Sequence, residues 1–301
     1  MAGGRNRWLA WLFAGPALLL VTVFLVYPTI QTVLFSLSDG TMLNPDKDYV
    51  GLGNFERLLL ADRTFLRVDE WPPSGVLFNT LIWVLVFPPV TVATGLLIAV
   101  LADKKPYESI IKSVIFLPMV ISSTAASVIF VFVYSPDTQV GVLNAGLSAI
   151  FPNFEPITWL GSKELANLAI IFAAVWITAG LPTVVLSAAY KALPGEILEA
   201  AKVDGGTPWQ IFWRVSLPMM VRPVTFVATT LIINALKLVD LVLVMTQGGP
   251  RGATRVIGFT VYQEIFGNNR VGYGSAVAVI LFILMIPAII YQVRQVRAEL
   301  S

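Results

Sequence analysis

Six long apolar runs, separated by polar segments, set the plan of this 301-residue chain. They cover roughly residues 8–37, 77–102, 113–134, 166–190, 223–245 and 274–293, each near the ~20 residues a helix needs to cross a bilayer core. The first run is long and interrupted by Pro16 and Pro28, which leaves its N-terminal end the option of lying flat, with Trp8 and Trp11 at headgroup depth. A cleaved signal peptide is the rival reading of residues 1–38. Against it, the apolar region is too long and no small-residue cleavage pattern follows, so we read an uncleaved span. The pattern therefore predicts an all-α integral membrane protein of six transmembrane helices, forming one domain over residues 1–301.

The connecting segments are of two kinds. Residues 39–75, 135–165 and 246–272 are rich in turn formers: Asn44-Pro45-Asp46 and Trp71-Pro72-Pro73 in the first, Pro136, Pro152 and Pro156 in the second, Gln247-Gly248-Gly249-Pro250 in the third. The polar insert at about 191–220 instead has helical detail. Pro194 stands at a helix start, and Glu196 and Glu199 suit a first turn through the helix dipole. Ile197, Leu198 and Ala201 make a short apolar face, and Gly205 or Gly206 supplies a left-handed residue that ends the helix. Thr207, Pro208 and Gln210 then fit the N-cap, first and third positions of a capping box, starting a second helix that runs to about Ser216, before Leu217-Pro218. Helix, glycine turn, helix is a compact knob suited to a partner's groove; an ordinary interfacial linker is the alternative.

Composition agrees with the pattern. The chain is 56% hydrophobic and 13% charged, with mean hydropathy +0.79, far from a soluble domain. It has no Cys and no His, which removes disulfides, thiol chemistry and the commonest general base and metal ligand, so no catalytic or metal-binding set is expected. A net charge of +2 gives no sign of a nucleic-acid partner. Basic residues fix the orientation. Arg5, Arg7, Lys104, Lys105, Lys112, Lys191, Lys202, Arg214, Arg222, Arg294 and Arg297 fall on one side at a density of about one residue in five, against about one in twelve opposite. The denser side belongs in the cytoplasm, together with both termini and the 191–220 knob.

The knob's residues carry a resemblance. Glu199-Ala200-Ala201, Asp204-Gly205 and the closing Leu217-Pro218 resemble the docking loop of the membrane subunits of bacterial ATP-binding-cassette importers. The departures are Val215, where the family usually has Ile, and Gly206, where it often has Ala. Further stretches match the sugar-importer branch in order: Tyr27-Pro28, Val50-Gly51-Leu52-Gly53-Asn54-Phe55, Asp62, Phe65, Phe78-Asn79-Thr80, Leu117-Pro118, Gly141-Val142-Leu143-Asn144, Trp159-Leu160 and Thr246-Gln247-Gly248-Gly249-Pro250. The chain is similar to the maltose-type permease subunit without its large extra external domain.

The resemblance implies a permease subunit of the bacterial inner membrane, forming half of a pathway for a carbohydrate such as an oligosaccharide or glycoside. Its implied partners are a second homologous permease, an ATPase dimer that docks on the knob, an extracytoplasmic sugar-binding protein and membrane lipid. On the family's pattern Glu199 makes polar contacts in the ATPase cleft and Ala200 and Ala201 permit close approach. No cofactor is implied for this chain: ATP and Mg belong to the ATPase, and the phosphate-cradling Gly-Lys pair is absent. A non-sugar solute such as glycerol phosphate is the alternative cargo. A secondary transporter is the distant alternative, disfavoured because Asp240 is the one carboxylate well inside a span and no repeated halves are evident.

Polar residues inside spans are candidates for function. In the fifth run Asn234, Lys237 and Asp240, with Thr230, share one face if a single helix runs from 223 to 245. On that premise Lys237 and Asp240 are spaced to pair, and the face offers groups to sugar hydroxyls; the alternatives are a structural ion pair or a snorkelling Lys237. Ser122, Ser123, Thr124 and Ser127 read as helix-packing residues, and Thr178, Gly180 and Pro182 as packing or a kink.

Overall fold

A computed structural model describes residues 7–44, 48–67, 74–103, 105–151 and 153–300. Pro45, Asp46, Trp71, Pro72, Pro73 and Pro152, with Arg5, Lys47, Lys104 and the Trp8 side chain, lie outside them. Fourteen helices account for most of the described chain: α1 (7–36), α2 (53–61), α3 (Val76–Ala102), α4 (Glu108–Val120), α5 (Ser123–Val133), α6 (Val142–Ile150), α7 (Ala166–Thr178), α8 (Gly180–Lys191), α9 (Gly195–Val203), α10 (Pro208–Met219), α11 (Val221–Leu236), α12 (Asp240–Met245), α13 (257–267) and α14 (Val271–Leu300). Among the described residues there is no strand, only the isolated bridges Ser38–Tyr49 and Arg67–Ser74. The expected all-α membrane protein is what folds: α1, α3 and α14 are long and apolar enough to cross a bilayer, and three bent helix pairs, α4–α5, α7–α8 and α10–α11, bring the count to as many as six where each pair is one span. Three helices, α2, α6 and α13, occupy segments whose turn formers had given no sign of them.

The described residues form two compact units, one within Met1–Asp62 and Thr260–Phe282, the other within Arg63–Phe259 and Ile283–Ser301. In the first, α1 stays helical through Pro28 because Thr22–Val26 is a wide turn in which the Tyr27 amide donates to the Thr22 carbonyl. A proline placed just past such a turn has no amide to give, and the widened ladder asks for none. The loop after α1 is held by buried Asn54, whose amide donates to the carbonyls of Ser36 (3.0 Å) and Ser38 (2.8 Å). At the start of α14, Arg57 and Arg270 stand 5.4 and 5.2 Å from the Tyr273 ring, whose hydroxyl donates to Asp62.

The second unit holds the principal core, built from Trp83, Phe87, Ile170, Leu186, Val242 and Phe259 among others. Helix α3 lies at its centre against α7, α8 and α11. It can approach α8 closely because residue 95 is Gly: a Cβ there would stand 2.9 Å from that of Pro182.

Two of the bends in this unit have a local cause. Helices α4 and α5 meet at 101° where Ile121 and Ser122 are extended and the Ser122 hydroxyl accepts the Ala125 amide at 3.2 Å. Ser122, read from sequence as a packing residue, is therefore the N-cap of a new helix. Helices α7 and α8 meet at 52°, with Pro182 placed to clash with the Thr178 carbonyl four residues back.

Candidate functional site

The knob forms as its residues predict. Helix α9 carries Glu199, Ala200 and Ala201, with Glu199 and Ala200 exposed, Ala201 partly covered and no residue of the helix buried. Asp204 is exposed and follows the last helical residue. Gly205 is the left-handed residue, at φ +82°, and its amide donates to the Lys202 carbonyl while the Gly206 amide reaches back to Ala201, both at 3.0 Å. These two bonds complete a Schellman motif and satisfy carbonyls the helix end would leave open. Thr207 and Gln210 then make the full capping box of α10.

One detail differs. Leu217-Pro218 does not close the second helix, which runs on to Met219 and turns at Met220. The reason is a second wide turn, Phe212–Ser216, in which the Leu217 amide donates to the Phe212 carbonyl, so Pro218 is absorbed as Pro28 is in α1. Leu217 is partly covered and Pro218 exposed.

The fifth run is not one helix. Helix α11 ends at Leu236, residues 237–239 leave helical geometry, and α12 starts at Asp240. The single-face relation among Asn234, Lys237 and Asp240 rested on an unbroken helix and does not hold across this gap. All three are exposed, and Lys237 and Asp240 have no ion-pair partner among the described residues, so the expected pair is not formed. The gap is filled from elsewhere in the chain: the α13 backbone lies on it at Gly258, where a Cβ would stand 2.6 Å from the Leu238 carbonyl oxygen and 3.2 Å from that of Leu236. The three residues thus flank a gap in a span with their side chains exposed.

Beside this break the short motifs converge. The loop that opens with Thr246–Pro250 goes on past two buried asparagines: Asn79 donates to the carbonyls of Gly252 (3.1 Å) and Arg255 (3.0 Å), and Asn167 to that of Ala253 (2.7 Å). Thr80 accepts the Ile257 amide at 3.0 Å, and Thr246 and Thr254 share a hydroxyl contact of 2.7 Å. Asn144 pins the loop that follows α5 in the same manner, through Ser135 and Ile157. Sequence reading placed Asn79, Asn144 and the glycine loop in a pattern without bringing any of them together. It passed over Asn167, although a lone amide in an apolar run was signal enough.

Against known proteins, residues 91–298 match the family model described as "Binding-protein-dependent transport system inner membrane component". Among curated relatives, the osmoprotective compounds uptake permease protein GgtC of Synechocystis is 41% identical, over 96% of this chain and 99% of its own. The alpha-glucoside transport system permease protein AglF of Rhizobium meliloti is 35% identical, over 96% and 82%. The trehalose/maltose transport system permease protein MalF of Thermococcus litoralis is 30% identical, over 94% and 91%. A chain of the crystal structure of a bacterial transporter that imports the acidic polysaccharide alginate has the same fold, with a TM-score of 0.77 at 21% identity and 96% of both chains covered.

Proposed function

This chain belongs to the family of binding-protein-dependent transport system inner membrane components, and from that premise we propose that it forms half of the pathway of an ATP-driven carbohydrate importer. Family membership makes it a transport component of the inner membrane rather than an enzyme. The observation that carries the proposal is the knob: a short helix with no buried residue, ended by Gly205 and braced by a second capped helix, is built to be covered by a partner. In this reading Glu199, Ala200, Ala201, Asp204 and Gly205 enter a cleft of an ATPase subunit, with Leu217-Pro218 at the base. ATP and Mg bind that subunit. A second homologous permease completes the pathway, and an extracytoplasmic binding protein delivers the cargo. Closure of the ATPase dimer moves the knob, and rigid-body motion of the spans alternates access.

The cargo is a glycoside or oligosaccharide, a reading supported by the names of AglF and MalF. Asn234, Lys237 and Asp240, open at the break between α11 and α12, supply donors and acceptors to its hydroxyls. One observation favours the second reading, an anionic solute such as glycerol phosphate: Lys237 is exposed beside the break with no ion-pair partner among the described residues.

Cysteine scanning tests the orientation on which docking depends, and the native chain has no Cys to interfere. Asn153→Cys and Arg251→Cys react with a membrane-impermeant thiol reagent in intact spheroplasts, whereas Lys202→Cys reacts only after permeabilisation. Labelling of Lys202→Cys in intact cells overturns the orientation and the docking together. Uptake assays with the binding protein and a panel of labelled oligosaccharides and glycerol phosphate then separate the two cargo readings.

A further inference from the structure

Helix α10 carries a surface that docking of α9 does not use. Trp209 and Trp213, one helical turn apart, are 69% and 50% exposed, and their rings meet edge to face at 5.4 Å. Phe212 stands 5.4 Å from Trp213 and 6.4 Å from Trp209, closing a three-ring cluster. Half a turn round from the indoles, Ile211 is buried. A helix that hides a narrow apolar stripe and still leaves two indoles outside has a second apolar environment to meet.

Charge and direction say which one. From Gly205 to Arg222 there is no acidic residue, and the charges are Arg214 and Arg222, both exposed. Helix α9 is the reverse, with Glu196 and Glu199 on it and Asp204 just past its end, against Lys202. The two halves of the knob are thus matched to partners of different charge. Helix α10 also meets α11, the start of the fifth apolar run, at 73°. With spans tilted ~20° from the normal, α10 lies within about 40° of the bilayer plane. Indoles and arginines on a helix in that attitude suit the headgroup layer, the rings at the acyl boundary and the guanidinium groups on lipid phosphates.

We propose that α10 is a membrane-surface helix, its Trp209–Phe212–Trp213 cluster and Arg214 seated on anionic phospholipid of the inner leaflet while α9 alone engages the ATPase. The inference rests on the cytoplasmic placement of the knob. It gives the knob a fulcrum, since a helix floating on the bilayer resists being pushed inward by the partner that α9 grips.

The experiment uses the assembled importer in native membranes, with p-benzoylphenylalanine replacing Trp209 or Trp213 in separate preparations and Lys202 in a third. Irradiation is expected to give phospholipid adducts from positions 209 and 213 and an ATPase adduct from 202. An ATPase adduct from 213, or adducts to neither, overturns the membrane seat. An adduct to the ATPase from 202 is read independently, so failure of docking and failure of the lipid contact are distinguished. In proteoliposomes, Arg214→Glu with Arg222→Glu is expected to abolish any gain in coupled ATP hydrolysis on adding phosphatidylglycerol to phosphatidylcholine vesicles. An undiminished gain overturns the proposed phosphate contact.

Discussion

The knob at 195–219 and the interrupted span at 221–245 are neighbours in the chain and hold their shapes by opposite means. In the knob every departure from regular helix is closed by residues within six positions: Gly205 and Gly206 bond back into α9, Thr207 and Gln210 bond each other, and Pro218 follows its own widened turn. In the interrupted span the departure at 237–239 is met by Gly258, some twenty positions on in the chain. A structure closed by its own neighbours can be read off one short stretch and survives exposure on a surface. A structure closed from a distance depends on the packed core around it.

The comparison is most exposed at Gly205. Valine there would have to hold a positive φ that β-branched residues resist, a strain of about 1–3 kcal/mol. Gly205→Val is expected to abolish uptake and ATP hydrolysis stimulated by loaded binding protein while leaving chain abundance in the membrane near normal; Glu199→Lys behaves alike. Full uptake by both would remove the docking role.

Gly258→Ala tests the other side. Its Cβ meets the Leu238 carbonyl oxygen, and overpacking of this sort costs about 1–3 kcal/mol. The expected result is a lower thermal unfolding midpoint of the purified chain in detergent, although the residue touches no cargo and no partner in the proposed assembly. An unchanged midpoint would mean that the gap is set by residues 237–239 themselves. Thr207→Ala removes the reciprocal cap of α10 and is expected to lose about 0.5–2 kcal/mol, read as faster protease cleavage between α9 and α10 with the core unaffected. The smallest effect belongs to Lys237→Met and Asp240→Leu. With no pair between them, each is expected to change stability by no more than about 0.5 kcal/mol, with near-zero coupling in the double variant. Strong coupling in unfolding measurements would restore the pair. Asn234→Ala should fold normally and raise the uptake KM if the break meets cargo.

Much of the fold was legible because lipid solvent writes a simple code. Span 77–102 was expected and α3 covers Val76–Ala102, since a run of that hydrophobicity has one comfortable environment. The knob was legible in outline, apart from its end, the place of Glu199 and the choice between Gly205 and Gly206, because caps and glycine turns are local chemistry. What escaped was decided by contacts between distant segments or by residues with two plausible roles. The arc drawn through Asn234, Lys237 and Asp240 assumed a helix that tertiary packing breaks. Ser122 was taken for a packing residue because nothing in the apolar pattern marks a 101° corner. Helix α6 hid among turn formers, being short and anchored by Asn144 on loop carbonyls, in the way that Asn79 and Asn167 hold the loop before α13.

Those asparagines have a mechanical consequence. Loops between spans are ordinarily the slack in a membrane protein, yet residues 246–256 are fastened at Gly252, Ala253 and Arg255 to side chains of α3 and α7, with the adjoining Ile257 held by Thr80. The loop therefore has no hinge of its own and behaves as a stiff cap on two helices. A displacement begun at the far end of α3 or α7 reaches it without lost travel, as along a push-rod.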